Sequence, residues 1–209
     1  MKQKWFGKSC SPFDISYFQA VPNYYETEQT VRAYIQMAQG YNGRALIEIL
    51  RQFLPDGKLV LELGMGPGKD LLILQEFYNA TGSDFYPLFL EMFRKEHPEI
   101  ETLALNAIEL NTHLSFDGIW SNKVLHHLTP EELKVSLKRQ SEILNPGGVV
   151  AHSFWKGSKR ETLEGLLFQH YMEHQLVELF AEDFEPQVHA LYSEMDRDDS
   201  IFIIARKKD

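Results

Sequence analysis

The sequence predicts an α/β fold built on a doubly wound, mostly parallel sheet. Three observations carry that expectation. From residue 59 onward, strand-like apolar runs alternate with runs of helical period, as parallel strands joined by helical crossovers require. The run LVLEL empties into Gly64-Met65-Gly66-Pro67-Gly68 and then into a helical pattern, which makes a strand, glycine turn and helix in succession. The tail holds two strand-like runs, 187–193 and 200–206, separated only by a charged turn, and so short a connection forces an antiparallel pair.

Each element has its own signal. Residues 27–38 place Val31, Tyr34, Ile35 and Ala38 at helical spacing, with Gly40 as the stop. A second helix is expected from the Asn42 cap, with Leu46, Ile49, Leu50 and Phe53 on one face, until Pro55-Asp56-Gly57 breaks the chain. The helix after the glycine turn runs through Leu71, Leu72, Leu74, Gln75 and Phe77. Thr81-Gly82-Ser83-Asp84 closes a second strand, Pro87 begins a helix, and His97-Pro98 ends it. Residues 101–107 read as a third strand and 116–121 as a fourth. Thr129-Pro130-Glu131-Glu132 is a capping box with proline at the first helical position, starting a helix that reaches Leu144. Asn145-Pro146-Gly147-Gly148 turns the chain into a strand over 149–155. Between 159 and 185 Gly165 interrupts an otherwise helical apolar pattern, and no element is assigned there.

Composition narrows the class. A chain of 209 residues suits one α/β domain, with 1–45 as an N-terminal helical and aromatic cap, 57–155 as the ligand-binding core and 186–206 as the closing hairpin. A formal charge of −9 argues against a nucleic-acid or anionic-membrane surface. Cys10 is the only cysteine, so no intrachain disulfide and no cysteine-cluster metal site is expected. The N-terminus lacks the apolar core of a signal peptide and no run approaches a membrane span, so a cytoplasmic location is expected.

The glycine turn selects its ligand by charge and register. A dinucleotide fingerprint puts its third glycine at position 69, where Lys69 stands; the glycine is Gly68 instead. Glu62 and Asp70 bracket the turn with negative charge, which repels a pyrophosphate and suits a cationic ligand. No Gly-Lys-Ser/Thr follows a four-residue spacer, so a P-loop is excluded.

On these residues the chain resembles the class I S-adenosylmethionine-dependent methyltransferases. Glu62, Gly64, Gly66 and Gly68 match the family's first motif, and Asp84 matches the second-strand acid that holds the ribose hydroxyls. Asn106-Ala107 stands where the family has an acid and a small residue near the adenine amine; Asn106 departs from that pattern but keeps an accepting oxygen. SNKVLHHLTPEEL resembles the fourth-strand exit, and Pro146-Gly147-Gly148 the turn before strand five. The resemblance covers roughly residues 57–155. It implies a seven-stranded Rossmann-like sheet, S-adenosylmethionine as cofactor, and a cofactor set of Glu62, Gly64, Met65, Gly66, Gly68, Asp70, Asp84, Phe85, Asn106, Ala107, Ser121 and Asn122; Tyr41, outside the resemblance but next to the cofactor strand, is expected to reach the methionine end.

Methyl transfer from a sulfonium needs alignment and water exclusion, and a base only when the acceptor holds its proton. His126 and His127, after the fourth strand, are the catalytic candidates; adjacent in sequence, their rings are expected to point different ways. His152 lies in strand five beside Trp155. His170 and His174 would share a helix face at metal-ligand spacing, but Tyr171 stands where the zinc-protease pattern needs Glu, and no metal is expected. Trp5, Phe6, Phe13, Tyr17, Phe18, Tyr24, Tyr25, Tyr34 and Tyr41 form an aromatic flank that would close over a small-molecule acceptor. The competing readings are a cofactor-binding sensor or partner subunit without turnover, and a nicotinamide oxidoreductase.

Overall fold

The structure is a computed structural model describing residues 25–208. Trp5, Phe6, Phe13, Tyr17, Phe18 and Tyr24 of the expected aromatic flank lie outside the described residues. Helix α1 (Glu28–Met37) opens on Thr27, whose hydroxyl accepts the Thr30 N–H at 3.2 Å. Helix α2 (Arg44–Leu50) has Gly43 at its boundary, while the Asn42 oxygen accepts the Arg44 N–H at 3.1 Å. The N-cap is therefore Gly43, one residue beyond the expected Asn42, whose side chain supports the start from outside the helix, and the helix stops short of Phe53.

The strands follow as β1 (Leu59–Leu63), β2 (Asn79–Asp84), β3 (Thr102–Ala104), β4 (Phe116–Asn122), β5 (Leu144–Trp155), β6 (Arg160–Leu163), β7 (Leu166–Gln169), β8 (Phe184–Tyr192) and β9 (Ser200–Lys207). Seven of them form one sheet in the order β3-β2-β1-β4-β5-β9-β8. β1 to β5 pair in parallel, and β9 runs antiparallel to both β5 and β8. The mostly parallel sheet with a terminal hairpin is therefore present, and the order reverses between β1 and β4, where an open α/β sheet binds its ligand.

Both faces of the sheet are covered, which is why its central strands are apolar on both sides. On one face Val60, Val149 and Ala151 meet α2, α3 (Lys69–Leu74) and α4 (Pro87–Glu96). On the other Leu61, Leu63, Val150 and Phe154 meet α5 (Pro130–Ile143) and α6 (Glu173–Phe180). The capping box of α5 forms in full: the Thr129 N–H donates to Glu132 Oε2 at 2.8 Å and the Glu132 N–H to Thr129 Oγ1 at 3.2 Å.

The structure also ends α3 at Leu74, short of the expected Phe77, and corrects the sequence at three further places. The third strand keeps only Thr102–Ala104 of the expected 101–107, because the chain then turns back through the Leu110 N–H to Asn106 O bond. The unassigned stretch after 159 holds the β6–β7 hairpin and α6; Glu164 and Gly165, at φ 49° and 85°, make its two-residue turn. His170 precedes α6 while His174 lies within it, so the two share no helix face.

Candidate functional site

Gly64 and Gly68 are glycines for steric as well as backbone reasons. Gly68 begins α3 at φ 81°, and a Cβ there would lie 2.2 Å from Phe93 Cε2. At Gly64, φ 65°, a Cβ would lie 2.5 Å from Val124 Cγ1 of the β4 exit. The turn is thus clasped between α4 and the fourth-strand exit. Met65 lies beneath it, buried in the core. Asp84, at the end of β2, anchors it: Oδ2 accepts the Gly66 N–H and Oδ1 the Tyr86 N–H, each at 2.9 Å.

The charges are arranged unequally. Asp70 turns inward, where Oδ1 accepts the Gly43 N–H at 2.6 Å and Oδ2 accepts Trp120 Nε1 at 3.3 Å and Asn122 Nδ2 at 3.0 Å. Asp84 is buried, which raises its pKa against the opposing effect of its backbone donors. Glu62 is 3% exposed and its Oε2 has no partner. Burial, with Asp70 and Asp84 adding repulsion, pushes its pKa well above the ordinary carboxylate range. A buried carboxyl with an orphan oxygen beside two further acids fits a ligand with cationic groups and repels a diphosphate. S-adenosylmethionine, with a sulfonium and an α-ammonium, meets that requirement.

A residue that the sequence offered only as part of a helix face and an aromatic flank covers this charge. Tyr34 of α1 lies over Gly66, and its hydroxyl is raised in pKa by burial and then by Asp84, Asp70 and Glu62. Its ring meets Tyr25 edge-on at 5.2 Å and Phe89 at 5.8 Å, and Tyr25 meets Tyr86 at 5.0 Å. A cleft of about 580 Å³ between α1 and α4 reaches Pro67 and Lys69 but includes none of the three acids. It lies on the outer side of α1, away from the buried charge. Tyr41 and Phe85, by contrast, are largely exposed.

Beyond β3, Asn106 Oδ1 already accepts the Ile108 N–H at 2.7 Å, leaving one lone pair and the amide N–H groups for a base, and the Ala107 carbonyl accepts Ser136 Oγ at 2.6 Å. At the β4 exit Ser121 turns into the core toward His152, whereas Asn122 faces Asp70 and accepts Ser153 Oγ. Next comes Lys123 at φ 56°, a residue sequence reasoning passed over. Its Nζ donates to the Phe154 carbonyl at 3.0 Å and Ser200 Oγ at 2.7 Å and sits 3.5 Å from the Trp155 ring centre. Burial pushes its pKa down to about 7.

The rings of His126 and His127 do not diverge as expected; their centres are 4.0 Å apart and both meet Phe168 of β7. The β6–β7 hairpin, which the sequence did not show, draws them together. His126 is buried with both nitrogens unpartnered, and burial holds it neutral. His127 Nδ1 lies 2.6 Å from the Leu167 carbonyl, which fixes the proton on Nδ1 and leaves the Nε2 lone pair available. His127 is lowered in pKa by burial, against that hydrogen bond.

The sheet order and the acid-lined glycine turn at its reversal point define an α/β fold with a ligand position at the carboxyl ends of its central strands. Residues 60–148 match the family model of a methyltransferase domain. An S-adenosylmethionine-dependent methyltransferase from Methanosarcina mazei is similar at 20% identity over 76% of this chain and 96% of that one, with a TM-score of 0.68. The Burkholderia thailandensis 1,6-didemethyltoxoflavin-N1-methyltransferase, with 1,6-didemethyltoxoflavin and S-adenosylhomocysteine bound, is similar at 21% identity over 98% of this chain and 94% of that one, with a TM-score of 0.74. The N-methyltransferase NodS of Bradyrhizobium japonicum, in complex with S-adenosylhomocysteine, gives 15%, 79%, 86% and 0.63. At these identities the structural likeness speaks for the fold. No curated protein sequence matches the chain. Residues 60–148 thus carry a methyltransferase domain, set in a Rossmann-like sheet that the solved methyltransferase structures share. Among the described residues no helix is long and apolar enough to cross a membrane.

Proposed function

We propose that the protein transfers the methyl group of S-adenosylmethionine to a small-molecule acceptor by in-line displacement, releasing S-adenosylhomocysteine. The observation that carries this reading is the buried Glu62 carboxyl under the glycine turn, whose Oε2 has no partner. Bound there, the cofactor supplies an activated methyl carbon; the acceptor's lone pair forms the new bond as the carbon–sulfur bond breaks and the sulfonium becomes a neutral thioether. Asp84 would hold the ribose hydroxyls, the backbone of 64–68 would lie against the ligand, Asn106 and Ala107 would meet the adenine, and Glu62 would pair with the α-ammonium. Tyr34 and the β6–β7 hairpin exclude water on either side. The Burkholderia structure, similar over nearly the whole chain, holds a small acceptor together with S-adenosylhomocysteine and supports the substrate class.

Glu62 makes the reading measurable. Because its folded pKa is raised, the free protein holds a proton there between the ordinary carboxylate range and the raised value, and stability falls as pH rises through that window. An arriving ammonium stabilises the charged form, so binding S-adenosylhomocysteine expels the proton and affinity rises with pH up to the raised pKa. Calorimetry in buffers of different ionisation enthalpy is expected to show proton release in the wild type and none from this site in Glu62→Gln. Equal release in both would reject the assignment.

His127 is the better placed of the two histidines to accept an acceptor's proton, with His126 packed behind it. For an acceptor protonated at neutral pH, His127→Ala is expected to lower kcat by about a hundredfold while leaving the S-adenosylhomocysteine Kd unchanged. An unaltered kcat in single-turnover measurements removes His127 from the chemistry.

A further inference from the structure

A polar chain crosses the interior behind the site. Ser121 Oγ lies 2.8 Å from His152 Nδ1, His152 Nε2 lies 2.8 Å from Gln140 Oε1, Gln140 Nε2 lies 3.0 Å from Ser136 Oγ, and Ser136 Oγ lies 2.6 Å from the Ala107 carbonyl. All four side chains have no exposed surface. They bring together β4, β5 and α5, residues far apart in sequence.

The far end fixes the direction of every link. A carbonyl can only accept, so the Ser136 hydroxyl donates to Ala107 and must itself accept from the Gln140 amide N–H. The Gln140 oxygen then accepts, which places a proton on His152 Nε2 and leaves Nδ1 to accept from the Ser121 hydroxyl. The histidine is neutral in this scheme; its burial pushes its pKa down to about 3, so the order of donors survives across the working pH range.

Such a chain gives little net stability. An apolar replacement of the whole set in a core of Leu, Ile and Phe would cost little, whereas a partly satisfied chain costs more than none. Its use lies at its end, because Ala107 belongs to the turn that follows β3. α5 grips that turn again through Arg139, whose Nε donates to the Glu109 carbonyl at 3.0 Å and Nη2 to the Leu110 carbonyl at 3.1 Å. Leu110 sits at φ 45°, a conformation a leucine keeps only when its surroundings hold it there. Asn106 completes the turn by accepting the Ile108 N–H. The edge offered to a base by 106–108 is therefore set from inside the protein.

We propose that Ser121, His152, Gln140 and Ser136 are positioning residues for the base end of the adenosyl cofactor, acting by holding the Ala107 carbonyl and so the Asn106 edge. This rests on the reading of Asn106 and Ala107 as the adenine contact. It also gives Ser121 a role that does not require contact with the ligand.

The test compares S-adenosylhomocysteine with S-inosylhomocysteine, in which oxygen replaces the adenine amine, by calorimetry on the full chain. Ser136→Ala is expected to weaken S-adenosylhomocysteine about tenfold and S-inosylhomocysteine less than about threefold, so the preference for adenine falls. Ser136→Thr, which keeps the hydroxyl, should restore most of it. Gln140→Leu, one link further, should repeat the loss and carries the test if Ser136→Ala does not fold. The titration stoichiometry counts the folded fraction, so partial unfolding cannot imitate a change in Kd ratio. An unchanged preference in both loss variants overturns the proposal. A wild-type protein that binds both ligands equally overturns instead the adenine assignment beneath it.

Discussion

Asp84→Ala is expected to raise the dissociation constant for S-adenosylhomocysteine about a thousandfold while the protein stays folded. The carboxylate spends one lone pair of each oxygen on the Gly66 and Tyr86 N–H groups, which leaves one on each for a pair of ribose hydroxyls. Each hydrogen bond to a charged group contributes about 1.5–3 kcal/mol, so losing two costs roughly 3–6 kcal/mol, centred near a thousandfold. The fold survives because only the Gly66 and Tyr86 N–H groups are stranded, and removing a carboxylate whose charge burial disfavours offsets part of that loss. Asp84→Asn keeps one accepting oxygen and should lose about tenfold. Calorimetric titration with thermal melting of the free proteins decides the matter. A Kd within threefold of the wild type would refute the ribose assignment, and an equal fall in affinity and melting temperature for both variants would turn Asp84 into a structural tie.

Where a signal was local, it was legible. The Thr129 box, Pro87 at a first helical turn and the apolar run LVLEL each declare an element within a few residues, and each element is present. The glycine register of 64–68 was also legible, and the structure adds why it cannot drift: Val124 and Phe93 occupy the space of the missing side chains. The β6–β7 hairpin was not, because Leu166, Leu167 and Phe168 are apolar in a block that fits a helix equally well, and its turn begins with Glu164, a residue no turn rule selects at positive φ. Lys123 and the pair Ser136 and Gln140 read as ordinary polar residues on a loop and a helix. Their burial depends on β9 and β5, which meet them only after folding. Tyr34 was legible as one of a helix face, but not as the ring over Gly66, because nothing in its neighbourhood records which loop α1 covers. Asp70 was legible as a charge beside the glycine turn but not as an inward tie, since its partners stand 27, 50 and 52 residues away.

That inward turn gives Asp70 the largest expected effect on stability. Asp70→Ala strands three donors: the Gly43 N–H at the start of α2, the Trp120 indole N–H in β4 and the Asn122 amide. Each buried orphan costs about 1–3 kcal/mol, for a gross loss of roughly 3–9 kcal/mol. An opposing gain exists, because Asp70 is one of the charges that raise Glu62, and its removal relieves that repulsion. Burial stands first among the causes of the Glu62 shift, so the relief is the smaller effect and orphaned donors prevail. Asn122 can also turn toward solvent, since it is only partly buried, which trims the loss further. About 3–5 kcal/mol remains, a large share of the stability of a single domain. Urea unfolding at neutral pH should show it as a lower midpoint with the slope unchanged. Asp70→Asn, which keeps one accepting oxygen, should lose about half as much and should lower the Glu62 pKa by the same relief of charge, visible as a shift in the pH at which ligand binding stops releasing a proton. A loss below about 1 kcal/mol in Asp70→Ala would mean that α2 and β4 hold the glycine turn without it, and the charge beside Glu62 would then belong to the ligand after all.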